Sequence, residues 1–82
     1  MEKRIGFIGI IIDNRDMSAD AVNQLLSEYG STIIARTGVP YKEKDVSVIT
    51  LIIDANSDEV GALTGKLGAI SGVAVKSALC KK

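Results

Sequence analysis

Histidine and tryptophan are absent from the 82 residues, and cysteine and proline occur once each. Without histidine the chain lacks the commonest general base, the commonest zinc ligand and the side chain that titrates near neutrality. No nucleophile–base pair of the usual kind can be built from what remains, so no catalytic residue is expected. A single cysteine, Cys80, makes neither an intramolecular disulfide nor a thiolate cluster, and neither a metal nor another cofactor is expected. Charge of one sign is not in excess either: ten Lys and Arg balance ten Asp and Glu. Basic nucleic-acid modules carry a clear positive surplus, so direct nucleic-acid binding is not expected. No window reaches 18 apolar residues, and the opening Met1-Glu2-Lys3-Arg4 leads into no cleavable leader. The expectation is a soluble, cytoplasmic protein with no membrane partner.

What the sequence does have is aliphatic bulk. Hydrophobic residues make up 46% of the chain but aromatic ones only 4%, so Ile, Val, Leu and Ala carry the apolar content. A chain of this length buries about 60–65% of the surface its unfolded form exposes. Its ordering entropy, roughly 1.5 kcal/mol per residue, nearly cancels the return from burial. This much β-branched surface exceeds what a small monomer hides, and a partner surface is expected.

The apolar residues fall into two similar halves. Ile5-Gly6-Phe7-Ile8-Gly9-Ile10-Ile11-Ile12 closes on Asp13, and Val46-Ser47-Val48-Ile49-Thr50-Leu51-Ile52-Ile53 closes on Asp54. Both runs are β-branched and of strand length. Each is followed by a helical pattern. Ser18 is expected to cap the first helix, with Asp20 in its first turn. Val22, Leu25, Leu26 and Tyr29 then share one face, and Gly30 is expected to stop the helix in the left-handed conformation. In the second half Ser57 is expected to cap, Asp58 and Glu59 fill the first turn, Val60, Leu63, Leu67 and Ile70 share a face, and Gly72 stops the helix. Further strands are expected at 31–37 and 73–79. The segment 38–45 reads as a hairpin tip with Pro40 outside any ladder.

A βαββαβ order in one domain spanning 1–82 points to an α+β fold. The expected architecture is a ferredoxin-like sandwich: a four-stranded antiparallel sheet with two helices on one face. Strands one and three are then central, and Arg36 and Lys76 mark strands two and four as edges. If Ile49, Leu51 and Ile53 face the helices, Val48, Thr50 and Ile52 face away; Ile8, Ile10 and Ile12 likewise oppose Phe7 and Ile11. Such a bare face exceeds the apolar patch a monomer tolerates. Self-association as a homodimer or higher oligomer, through that face or an edge strand, is expected.

Candidate functional residues are few. Thr64-Gly65-Lys66 has the flavour of a phosphate loop, but Gly61 and Gly65 enclose three residues where four are needed, and the motif lies inside a helix. Gly61, Gly65 and Gly68 each weaken that helix by about 1 kcal/mol relative to alanine. They suit close packing on the sheet or on a neighbouring protomer, or a ligand resting on the glycine face. Asp13 and Asp54, ending neighbouring strands read as parallel, are expected on one sheet edge with Asp16 nearby. That arrangement fits turn chemistry, a cation or ligand contact, or acid–base work. Cys80, beside Lys81 and Lys82, is read as solvated or as a thiol of lowered pKa. Arg36 and Lys76 are read as solvated charges or as contacts to an anionic ligand at a protomer interface. Helix N-termini and Arg15 would suit an anionic group. The effector-binding residues expected are therefore Asp13, Asn14, Arg15 and Ser18, with Gly61, Gly65 and Gly68.

Several strings also resemble one family. They are Arg36-Thr37-Gly38-Val39-Pro40-Tyr41, the Val-Ile-Thr-Leu-Ile-Ile-Asp-Ala run ending at Ala55, Ala62-Leu63-Thr64-Gly65-Lys66-Leu67-Gly68, and Gly72-Val73-Ala74-Val75-Lys76. With Arg4-Ile5-Gly6-Phe7-Ile8-Gly9-Ile10 and Val22-Asn23-Gln24-Leu25-Leu26-Ser27-Glu28-Tyr29-Gly30 they resemble the iron-only hydrogenase system regulators, small stand-alone proteins with an ACT-like fold. The resemblance implies a regulatory or sensory module that oligomerises and takes a small effector, and implies a protein partner from the hydrogenase maturation system. The alternative is an assembly protein for that system with no effector; an enzyme comes third. ACT domains are similar in strand order, but the loop at 13–18 lacks the glycine of their amino-acid-binding members. The metal-sensing domain of nickel-responsive repressors is also similar in fold, but its ligands are largely histidines, which this chain does not have, so nickel sensing by that route is not expected.

Overall fold

Period-two alternation in the two apolar runs sets the sheet. In the computed structural model, which describes residues 2–82, β1 (Arg4–Asp13) and β3 (Val46–Ala55) lie side by side and antiparallel, with Ile8 opposite Leu51 and Ile10 opposite Ile49. β4 (Val73–Leu79) pairs with the free side of β1, and β2 (Ile33–Tyr41) with the free side of β3. The order is β2-β3-β1-β4, all antiparallel. The helices α1 (Ala19–Glu28) and α2 (Ser57–Gly68) cover one face. The ferredoxin-like βαββαβ sandwich expected from the sequence is the fold observed, with strands two and four at the edges.

The core is aliphatic. Ile8, Ile10, Ile12, Leu51 and Ile53 from the sheet meet Val22, Leu25 and Leu26 from α1 and Val60, Leu63 and Leu67 from α2. Burying each such side chain contributes about 1.5–3 kcal/mol. Tyr29 and Ile70, also placed on the helix faces by periodicity, are partly buried against this core.

The ends of the elements differ from expectation. Asn56, not Ser57, caps α2: its carboxamide oxygen accepts the Glu59 N–H at 2.8 Å, and the Glu59 carboxylate accepts the Asn56 N–H at 3.0 Å. This reciprocal pair satisfies two helix-end donors at once. Ser18 occupies the N-cap position of α1 but makes no cap bond; its hydroxyl donates to the Ser71 carbonyl at 2.6 Å. Gly30 is not left-handed, and α1 closes at Tyr29, whose N–H donates to the Leu26 carbonyl while the Gly30 N–H donates to that of Ser27. α2 closes at Ala69, and Gly72 has φ +75° in the turn that starts β4. β2 begins two residues later than expected and runs on to Tyr41. Pro40 therefore lies in the ladder opposite Ser47, which an edge strand tolerates because a missing donor there costs no partner. The tip is a single 3₁₀ turn, Lys42–Lys44, closed by Asp45 at φ 52°.

One placement is overturned. β1 and β3 are antiparallel, so Asp13 lies opposite Val46 and Asp54 opposite Ile5. The two carboxylates stand at opposite ends of the sheet and form no pair.

Candidate functional site

Three turns converge where β1 ends. The first is Asn14–Asp16, a 3₁₀ turn closed by Met17 at φ 53°, the same device as at Asp45. Asp13 N–H donates to the Gly72 carbonyl at 2.8 Å, and Asn14 N–H to the Asp45 carbonyl at 3.1 Å. Ser47 donates its hydroxyl hydrogen to the Asn14 side-chain oxygen at 2.9 Å. At Gly72 a Cβ would strike the Asp16 carboxylate, so the positive φ and the close approach both require glycine. The corner thus ties the hairpin tip and the β4 turn to the start of α1.

Within this corner Arg15 folds back on Asp13. Its Nε donates at 3.0 Å and its Nη2 at 2.7 Å, while its backbone N–H donates to the same carboxylate at 3.0 Å. These bonds, the side-chain one foremost, hold the Asp13 carboxyl down at about 2; the same contact raises the Arg15 guanidinium above its ordinary value. Asp13, Asn14, Arg15 and Ser18 are therefore brought together as the sequence suggested, each already bonded inside the chain. Gly61, Gly65 and Gly68 do not join them as a group. Gly61 and Gly65 are exposed, with nothing within 4 Å of where a Cβ would sit, which excludes close packing of those two on the sheet. Gly68 alone approaches β4, its Cβ position lying 3.7 Å from Val75. Cys80 is exposed. No group of three or more metal-ligating side chains occurs among the described residues.

Two surfaces stand out. The first is the sheet face turned away from the helices. Phe7, Ile11, Val39, Tyr41 and Ile52 are all exposed there, and the register sets Ile11 beside Val48 and Ala74, and Phe7 beside Ile52 and Ala78. Gly9 and Lys76, cross-strand neighbours, leave a depression of 230 Å³ in the middle of this face.

The second is a cleft of 230 Å³ on the helix side, between the first half of α1 and the outer part of the β2–β3 hairpin. Ile12 and Ile49 are part of its apolar lining, Ala19 and Asn23 come from α1, and Gly38, Pro40 and Ser47 from the hairpin. No atom lies within 4 Å of the place a Gly38 Cβ would take. Arg36 reaches across from β2, its Nη2 donating to the Asn23 side-chain oxygen at 2.8 Å. Of this set, sequence reasoning singled out Arg36 alone. A glycine inside a strand two residues before a proline was the available signal for the rest.

The model of the TM1266-like family, described as a regulator of the iron-only hydrogenase system, matches residues 4–77. No curated protein matches the sequence. Among solved structures, the uncharacterised protein TM1266 from Thermotoga maritima is 39% identical, with a TM-score of 0.92 over 98% of this chain and 100% of that one. A protein of unknown function from Pediococcus pentosaceus shares the fold at 10% identity and a TM-score of 0.63, covering 100% and 96%. CPII, a nitrogen regulatory PII-like protein from Thiomonas intermedia K12 solved with ADP, AMP and bicarbonate, shares it at 21% identity and 0.53, covering 95% and 91%. The last two show likeness of fold alone. A family match across β1 to β4, joined to near-complete superposition on the Thermotoga protein, places this chain in the TM1266-like family of iron-only hydrogenase system regulators.

Proposed function

We propose that this protein is a non-enzymatic, cytoplasmic regulatory module. It works as a homodimer or higher oligomer formed through the open sheet face, takes a small effector, and passes its signal to a protein of the hydrogenase system. The observation that carries the reading is the open face itself. Phe7 and Ile11 are 45% and 46% exposed in the central strand of the sheet, where water meets side chains as apolar as those in the core.

The dimensions suit a second copy. Ten-residue strands spaced as in any sheet give a face of about 33 by 19 Å. Two such faces together cover about 1,200 Å², the lower end of a stable interface. The depression over Gly9 offers a socket for a bulky side chain from the opposing copy. Support for the regulatory half comes from the family and from CPII, where the same fold holds small ligands. The family's description supplies the link to the hydrogenase system.

Analytical ultracentrifugation tests the reading. A species of twice 8.7 kDa or more is expected at micromolar concentration, and Ile11→Asp is expected to return it to the monomer. A monomer throughout that range overturns it. Self-association with no change in melting temperature under any amino acid, nucleotide or metal would instead identify an assembly protein without an effector.

A further inference from the structure

We propose that the cleft between α1 and the β2–β3 hairpin binds a small aliphatic carboxylate, with the Arg36 guanidinium receiving the carboxylate group. Three observations converge on it. The first is the charge state of Arg36. The one ion pair among the described residues is Arg15 with Asp13, so Arg36 has no acidic partner. A neutral acceptor, the Asn23 side chain, holds it in place instead. A guanidinium has five N–H donors, and one bond to an amide oxygen leaves four for a ligand. Its positive charge is positioned but not neutralised, and no acidic side chain lines the cleft.

The second observation is the vacant place above Gly38. Edge strands favour β-branched and aromatic residues, and glycine in a strand interior weakens the strand. Gly38 is not in the left-handed region, and its Cβ would meet nothing within 4 Å. Neither backbone conformation nor close packing therefore demands glycine here. What its missing side chain does is keep the cleft open.

The third is the chemistry and size of the lining. Ile12 and Ile49, 2% and 6% exposed, close the floor of the cleft, and the exposed Ala19 and Pro40 supply its apolar walls. The Ser47 hydroxyl has given its hydrogen to Asn14, so towards a ligand it can only accept. The volume of 230 Å³ is about eight times the share of one water in the liquid. An acid of four or five carbons fits, its carboxylate on Arg36 through charge-assisted bonds and its aliphatic body between Ala19 and Pro40, above the two isoleucines. Asn14, bonded to Ser47, joins this cleft to the corner where β1 ends.

This assignment rests on the effector half of the proposed function and is independent of self-association, which the ultracentrifuge reads separately. The full chain, labelled with ¹⁵N, is titrated with isovalerate, with uncharged isovaleramide and with inorganic phosphate while amide shifts are followed by NMR. Saturable shifts with isovalerate are expected on Ala19, Asn23, Gly38 and Ser47, with none from isovaleramide. Arg36→Gln is expected to weaken isovalerate by about tenfold or more, the effect of one lost charge-assisted bond. Gly38→Val, which fills the cleft and keeps the arginine, is expected to do the same. Both changes lie at the exposed edge strand, and the rest of each spectrum reports folding. Absence of saturable shifts into the tens of millimolar, equal binding of the amide, or undiminished binding by Arg36→Gln each overturns the proposal. Tighter binding of phosphate than of isovalerate overturns the carboxylate class.

Discussion

Ile10 and Ile11 are consecutive residues of one strand with the same side chain, yet Ile10 is 0% exposed and Ile11 is 46% exposed. The same contrast runs through β3, where Leu51 is buried and Ile52 is not. The outer face carries a polar row, Thr37, Thr50, Gly9 and Lys76, across its middle, but the aliphatic residues flanking that row match those of the core, and the helices decide which are covered. α1 and α2 supply a second layer for one side only, and the other side keeps a surface of similar character with no layer over it. A βαββαβ chain has two helices to spend on two faces, and both cross on the same side. An apolar outer face is therefore a property of the sequence that the monomer fold does not explain.

The contrast is sharpest when each face loses one side chain. Ile10→Ala is expected to destabilise the protein by about 2–5 kcal/mol, through lost transfer energy and the cavity left behind; urea denaturation measures it. A loss below about 0.5 kcal/mol would mean that the core is not where the structure places it. On the other face, Ile11→Asp is expected to leave the unfolding midpoint of dilute protein within about 1 kcal/mol of the parent. Its effect belongs in association: sedimentation equilibrium is expected to show dissociation at least about tenfold weaker, since a charge would be buried without a partner. Equal self-association by parent and variant would remove the open face from the interface.

The two helix starts make a smaller comparison. Asn56→Ala removes a capping box and is expected to cost about 1 kcal/mol, whereas Ser57→Ala, one residue into the helix, is expected to change stability by no more than a few tenths. Equivalent losses would show that the cap is misplaced. The smallest effect concerns Asp13. Its carboxyl is held at about 2 against an ordinary 3.8. The stabilisation it gives is therefore complete above the ordinary value and is lost as pH falls through 3.8 towards 2. Carboxyl ¹³C shifts are expected to report a midpoint near 2 in the parent. In Arg15→Ala the midpoint is expected to move up towards the ordinary value; an unmoved midpoint would show that the contact with Arg15 is not its cause.

Much of this was legible from local pattern. Alternation separated the inner from the outer residues of β1 and β3, and 3.6-residue periodicity found the buried faces of both helices. The same arithmetic could have placed the glycines: Gly65 lies about 200° around the helix from both Leu63 and Leu67, which puts it outside when they are inside. Strand direction was legible only through the βαββαβ order, which implies antiparallel neighbours; a run of isoleucines carries no direction, and reading Asp13 and Asp54 as a pair set that order aside. The helix starts were found within a residue, because Asn56 and Ser57 are both good capping types and only the backbone decides between them, whereas the stop of α2 was placed at Gly72, three residues past Ala69. The cleft was least visible. Arg36, Asn23, Gly38 and Ser47 are spread over 25 positions of the chain, and only the packing of α1 beside the hairpin makes them neighbours.

The topology also governs how fast the chain can find this structure. β1 is central, yet its partners lie far along the chain: Ile8 must meet Leu51 on one side and Ser77 on the other. Closing such long loops costs entropy before any pairing repays it, and chains rich in distant contacts fold slowly. The one pairing between strands adjacent in the sequence is β2 with β3, where Tyr41 meets Val46 across the Asp45 turn. The β2–β3 hairpin is thus the cheapest piece to assemble. Stopped-flow refolding of Val39→Ala, against refolding of a β4 variant such as Val75→Ala, reads the order: nucleation at the hairpin slows the first and leaves the second's folding rate unchanged.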